Sequence, residues 1–214
     1  MNNVFIHGWS FSSDIWKNLY NGNFIDLPFH GNSNLSFKKN IIENFVNYIG
    51  NTINRNSTLI GWSLGATVSV LVANKYPEKV KKLILIGFSP KFKDEKLGSS
   101  PKFVKAFMFS LKKDFEKTIY NFRKTSCDKE FENITFPKKD GAIKILEEFI
   151  NLDLTNLISE VRQEVVLIHG KNDKIVNYQA STFTNEKIKN SKLILNNSNH
   201  CPFLENPDII VNHL

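Results

Sequence analysis

A serine hydroxyl attacks a carbonyl carbon at neutral pH only when a neighbouring base removes its proton. Ser63, in Gly61-Trp62-Ser63-Leu64-Gly65, is placed for that chemistry. The segment is a G-x-S-x-G between an apolar run, Thr58-Leu59-Ile60, and a helix-like stretch, Leu64 to Tyr76, that Pro77 ends. At such a strand-to-helix turn the serine takes a strained backbone conformation and lifts its hydroxyl above the sheet edge. Gly61 and Gly65 are small because other chain segments must pass close by. The helix starting at Leu64 aims its dipole and free N–H groups at the same spot, favouring negative charge. Read blandly, Ser63 only caps a helix; the strand–turn–helix setting favours the nucleophile.

Five histidines could supply the base: His7, His30, His169, His200 and His213. His200, in Asn199-His200-Cys201-Pro202-Phe203, follows the last strand-like run on a loop returning over the sheet edge. His169 ends a strand before Gly170 and reads as a packing residue, and His213 adjoins the terminus and reads as solvated. The acid that orients the imidazole is expected to be Asp173, after the run 164–169 in Gly170-Lys171-Asn172-Asp173, with Asp153 as the fallback. The order Ser63, Asp173, His200 is the one expected when a strained serine turn leads. The oxyanion needs two N–H donors. Leu64 supplies one, and the amide of Trp9, in the loop His7-Gly8-Trp9, supplies the other, each worth about 2.7–4 kcal/mol in the transition state.

These residues need a scaffold. Val4-Phe5-Ile6, Phe24-Ile25-Asp26-Leu27, Thr58-Leu59-Ile60, Leu83 to Ile86, Val165 to Ile168 and Leu193-Ile194-Leu195 are short, continuously apolar runs bounded by turn-forming residues. Continuous rather than alternating apolarity predicts strands buried on both faces, hence an α/β fold with a mostly parallel sheet of about six strands. Helical spacing predicts a helix over 37–49. Asn206 as cap and Pro207 at the first turn predict another near the end. From Pro90 to Leu152 the strand-like runs stop and phenylalanines recur at helical spacings such as 103/107. That segment reads as a helical cap, residues 91–152, inserted into a core of 1–90 and 153–214.

The chain has 214 residues and a net charge of +7, of which +6 lies between Lys91 and Lys144. Such a field favours an acidic partner or is a solvated lysine-rich face. No apolar run approaches the roughly 18–20 residues of a membrane span, and MNNVFIHGWS lacks a signal-peptide layout, so a cytoplasmic protein away from membranes is expected. The two cysteines, Cys127 and Cys201, lie far apart with no CxxC and are expected as free thiols. No phosphate-binding glycine loop or metal-ligand spacing is present, so no cofactor and no metal are expected. Helical spacing makes the aromatics core rather than a nucleic-acid platform.

With those motifs in hand, the chain resembles the α/β-hydrolase superfamily and, within it, the pimeloyl-[acyl-carrier protein] methyl ester esterases of biotin synthesis. The resemblance runs through His7-Gly8-Trp9 with Trp16, Asp26-Leu27-Pro28 with Gly31, Gly61 to Gly65, and Ser89-Pro90. It continues in Gly141 to Leu154, Gly170 to Asp173 and His200 to Phe203. It implies a serine carboxylesterase with Ser63, Asp173 and His200 as the triad and Trp9 and Leu64 in contact with substrate. It also implies acyl-chain contacts from the cap segment Phe122, Arg123, Lys124, Thr125 and Ser126. An acidic acylated carrier protein would dock on Lys102, Lys105, Lys112, Lys113, Lys117, Arg123 and Lys124, and a monomer is expected. A menaquinone-pathway lyase of the same fold, a general short-chain esterase and a non-enzymatic binder of acidic proteins are the alternatives. The chain departs from the family pattern in three places. It opens at what would be the third strand, so the leading antiparallel hairpin is expected to be absent. Pro28-Phe29-His30-Gly31 lacks the glycine usual after the proline. Arg123 and Lys124 stand where more apolar residues are common.

Overall fold

Continuous apolarity in the short runs becomes burial on both faces of one sheet. The structure, a computed structural model, describes residues 2–129, 131 and 135–214. Its strands are β1 (Asn3–Ile6), β2 (Asn23–Ile25), β3 (Ser57–Trp62), β4 (Val80–Ile86), β5 (Glu164–Gly170) and β6 (Ser191–Asn196). They pair in the order β2-β1-β3-β4-β5-β6, every pair parallel. The helices are α1 (Asp14–Lys17), α2 (Ile41–Thr52), α3 (Leu64–Lys75), α4 (Pro101–Lys113), α5 (Phe115–Cys127), α6 (Lys139–Phe149), α7 (Gln179–Lys187), α8 (Pro202–Glu205) and α9 (Asp208–Val211).

Neighbouring strand residues point to opposite faces. Ile6, Leu59, Leu83, Leu85, Val165 and Leu167 join one apolar cluster with α2, α3 and α6. Phe5, Ile60, Trp62, Ile84, Ile86, Val166 and Ile168 join a second with Trp16, Phe203 and Ile210 from α1, α8 and α9. Each large side chain buried this way stabilises the fold by about 1.5–3 kcal/mol. Among the described residues no helix is long and apolar enough to cross a membrane.

The register sets the site. Ile6 pairs with Gly61, Trp62 with Ile86, and Ile86 with Ile168, so the carboxyl ends of β1, β3, β4 and β5 finish nearly level. The loops that follow them open on one rim. Strand order reverses between β1 and β3, and the crevice outside such a reversal is where open α/β sheets bind ligands.

Local chemistry moves some predicted boundaries. The helix expected over 37–49 is α2, starting later, because Asn40 sits in the left-handed region (φ 51°) and Glu148 of α6 caps the new start. The Glu148 carboxylate accepts the N–H groups of Ile41 at 2.8 Å and Ile42 at 2.9 Å, a charge-assisted use of otherwise orphaned donors. The last helix begins at Asp208 with Pro207 just before it, rather than at Pro207. Between β4 and β5 the phenylalanine spacings do form helices. Ser100 caps α4 by accepting the Phe103 N–H at 3.2 Å, and Asp114 caps α5 by accepting the Lys117 N–H at 3.3 Å; each cap is worth about 1 kcal/mol.

Candidate active site

Ser63 lies between β3 and α3 with φ 55° and ψ −117°, a conformation that L-residues avoid. The surroundings enforce it. A Cβ on Gly61 would come within 2.5 Å of the Gly65 carbonyl oxygen, and one on Gly65 would overlap the Ile6 carbonyl. The Ser63 N–H donates to Ile86 O at 2.8 Å, tying the turn to the end of β4. Among the described residues neither the Trp9 nor the Leu64 N–H, the two donors expected for an oxyanion, makes a hydrogen bond.

His200 is buried, and its Nδ1 lies 2.6 Å from Asp173 Oδ2. Its ring is placed by two neighbours of Ser63. Trp62 Nε1 donates to His200 O at 2.8 Å, and a Cβ on Gly87 (φ 56°), directly after Ile86, would sit 2.7 Å from His200 Cε1. The His200 N–H also donates to Ser126 O at 3.1 Å, at the end of α5. Its Nε2 is buried and makes no hydrogen bond among the described residues, so the nitrogen a general base needs is unclaimed.

Asp173 Oδ1 accepts the N–H groups of Ile175 at 2.7 Å and Val176 at 2.9 Å. Its Oδ2 is shared by His200 and by His169, whose Nε2 is 3.0 Å away. Burial alone would raise the Asp173 pKa. The facing charge of His200 and the hydrogen bonds from His169 and His200 hold it instead well below the usual carboxylate range, so it stays ionised. The fallback acid is elsewhere: Asp153 is half exposed and pairs with Lys91 at 2.7 Å.

Beside Ser63, Trp9, Phe107, Phe122, Phe149 and Ile175 line a cavity whose other walls are also aliphatic or aromatic. Its free volume is about 20 Å³, room for about one water. Trp9 packs edge-on against Phe107 and Phe122, with ring centroids 5.8 and 5.4 Å away, and its Nε1 donates to Ala142 O of α6 at 2.8 Å.

Of the five residues expected to touch the acyl chain, Phe122 lines this cavity; Arg123, Lys124, Thr125 and Ser126 do not. Helical periodicity explains this, since consecutive residues cannot share one face. Arg123 turns inward, is buried, and donates from Nε to Ser10 O at 3.0 Å and from Nη2 to Thr135 O at 3.0 Å. Burial lowers its pKa to about 10. It therefore braces the loop carrying Trp9 and is not available for docking. Lys102, Lys105, Lys112, Lys113, Lys117 and Lys124 are exposed on α4 and α5, with Lys112 paired to Glu147 at 2.7 Å.

The cysteines correct a sequence expectation. Cys127 and Cys201 are joined in a disulfide across 74 residues, linking the end of α5 to the loop bearing His200. Sequence spacing could not reveal this, because only the fold brings α5 onto that loop. Trp62, Gly87 and the contact of His169 with Asp173 were also missed. Gly87 follows its strand as Gly8 and Gly170 follow or end theirs, a recurring pattern that marks the rim.

A model of the alpha/beta hydrolase family matches residues 4–213. The chain belongs to the alpha/beta hydrolase family. Within it, the chain is 30% identical to a pimeloyl-[acyl-carrier protein] methyl ester esterase of Wigglesworthia glossinidia brevipalpis, over 97% of this chain and 89% of that protein. It is 29% identical to the protein of the same name from Pseudoalteromonas atlantica, over 97% and 90%. Solved alpha/beta hydrolase structures share the fold: an esterase from Exiguobacterium antarcticum superposes with a TM-score of 0.83 at 20% identity, covering 99% of this chain and 90% of that one. A hydrolase from Oleispira antarctica gives 0.85 at 14% identity with the same coverage.

Proposed function

We propose that this alpha/beta hydrolase is a serine carboxylesterase that removes the methyl group from an acyl methyl ester, the pimeloyl ester of an acyl carrier protein in biotin synthesis. The observation that carries the reading is the pairing of His200 Nδ1 with Asp173 at 2.6 Å while Nε2 stays buried and unclaimed beside the strained Ser63 turn. His200 Nε2 takes the Ser63 Oγ proton as Oγ attacks the ester carbonyl. The Ser63–His200 hydrogen bond forms as substrate binds, since catalytic hydrogen bonds commonly tighten only in the complex. Asp173 holds the Nδ1–H tautomer and steadies the imidazolium. The Trp9 and Leu64 amides hold the oxyanion, each contributing about 2.7–4 kcal/mol. His200 then protonates the departing methoxide, and water repeats the sequence on the acyl-enzyme to release the acid and restore Ser63.

The acyl chain lies against Phe107, Phe122 and Phe149 once the α4–α6 cap shifts to widen the closed cavity. A compact polyacid, the substrate class of lyases with similar motifs, would meet no cation in that lining. The exposed lysines of α4 and α5 suit an acidic carrier, whose binding energy compensates for a leaving group as small as methanol. The test is hydrolysis of methyl-pimeloyl carrier protein beside a free short-chain methyl ester, at low and raised salt. The carrier ester should be turned over more efficiently, and salt should slow it far more than the free ester. Equal rates and equal salt response would leave a short-chain esterase without carrier docking. Failure of a fluorophosphonate to label Ser63 would end the esterase reading.

A further inference from the structure

His169 is fully buried at the end of β5, and its partners define its protonation. Nε2 lies 3.0 Å from Asp173 Oδ2 and 3.1 Å from Val176 O. Both oxygens only accept, so Nε2 carries a hydrogen. Nδ1 lies 2.7 Å from Ser181 Oγ on α7, whose hydroxyl can donate to it. Both ring nitrogens are thus engaged.

Asp173 consequently faces four donors: two backbone N–H groups on Oδ1, the His200 Nδ1–H on Oδ2, and the His169 Nε2–H, which Oδ2 shares with Val176 O. An ionised carboxylate offers about four lone-pair sites, so each is filled. We infer that His169 is a positioning residue for hydrolysis: its Nε2–H fixes the rotation of the Asp173 carboxylate and draws charge from the oxygen facing His200. The first effect keeps the acceptor aimed at His200 Nδ1. The second lowers the proton affinity of Oδ2, so the shared proton stays on His200 and Asp173 remains the counter-ion. This inference rests on the esterase reading above.

Among the described residues, His200 approaches this cluster from the loop after β6 and Ser181 from α7, while Lys174, directly after Asp173, pairs with Asp128 at 2.8 Å on the surface. The test compares His169→Leu, His169→Gln and Ser181→Ala on one methyl ester, after fluorophosphonate labelling of Ser63 in the unmodified enzyme. His169→Leu removes the donor: kcat should fall by about tenfold to a hundredfold with KM little changed. The acid limb of its kcat/KM profile should move to higher pH, because a more basic carboxylate raises the affinity of His200 for its proton. His169→Gln places an amide N–H near the same oxygen and should recover most of the kcat and the original limb. Ser181→Ala, which frees the ring to change tautomer, should lower kcat in the same direction and by less. If His169→Leu does not fold, the Gln and Ala variants still decide: a Gln variant as impaired as a gross packing defect overturns the inference. So does a Leu variant with unmodified kcat and acid limb. An enzyme that never labels overturns the esterase reading instead.

Discussion

Two imidazole–carboxylate clusters stand on the same rim, one on each side of Ser63, and they use the same groups to opposite ends. In the first, His7 Nδ1 donates to Gly8 O at 2.7 Å, its Nε2 accepts the Leu27 N–H at 3.0 Å, and Asp26 lies 3.4 Å away. His30 likewise donates from Nδ1 to Pro28 O at 2.8 Å and accepts the Ser10 N–H on Nε2 at 3.1 Å. Asp26 accepts the N–H groups of Ser13 at 2.6 Å and Asn32 at 2.9 Å. Every ring nitrogen is engaged, and the cluster locks the loops after β1 and β2. In the second, around Asp173, three of the four ring nitrogens are engaged and His200 Nε2 is not. A histidine–aspartate pair becomes a base only when the fold leaves one nitrogen unclaimed where a proton must be taken.

The sharpest way to break this comparison is to neutralise each acid in turn. Asp173→Asn should lower kcat by about 10⁴-fold, less than the roughly 10⁶-fold loss expected of Ser63→Ala. Asp26→Asn should change kcat less than tenfold and instead cost about 1–3 kcal/mol of stability, since one backbone N–H then faces an amide N–H. Equal losses of activity, read by ester hydrolysis beside chemical denaturation, would erase the distinction. Next in size is Gly87→Ala. Its new Cβ meets His200 Cε1 at 2.7 Å, and pushing the ring aside should cost about 10²-fold in kcat while the denaturation midpoint moves modestly.

The disulfide binds only the second cluster to the cap helices. Replacing Cys127 and Cys201 together by serine should lower stability by about 2–4 kcal/mol. A thiol titration of the denatured, unreduced protein should find no free thiol, and finding two would remove this tie. The smallest effect is a slope. Burial pushes the His30 pKa down to about 3. Unfolded, it titrates near 6.5, so below about that pH the unfolded state holds a proton that the folded state refuses. Stability should therefore decline from about pH 6.5 toward 3. The contribution of Asp173 has the same sign, a lowered carboxylate pKa, but acts in a more acidic window. It is fully present above about pH 4 and lost only in stronger acid. His30→Gln should flatten the first decline in thermal melts, and an unchanged slope would assign it to other groups.

Much of the second cluster was legible. Ser63, Asp173 and His200 stand at ends of runs whose composition declares them strands, and parallel strands put such ends on one rim. The first cluster was not, because His30 and Asp26 act through backbone bonds that no residue pattern records. Arg123 shows the same limit in α5. Its type suggested an exposed docking charge, yet its position on the helix turns it toward Ser10.

The sequence by itself determined the parallel sheet, the strained serine turn and the placing of histidine and aspartate after strands, because those follow from local periodicity and backbone sterics. Tertiary structure alone decided which histidine nitrogen stays free, that Asp173 serves two imidazoles, and that Cys127 reaches Cys201. Those outcomes depend on contacts between segments distant along the chain, and such contacts exist only once the sheet register and helix faces are set.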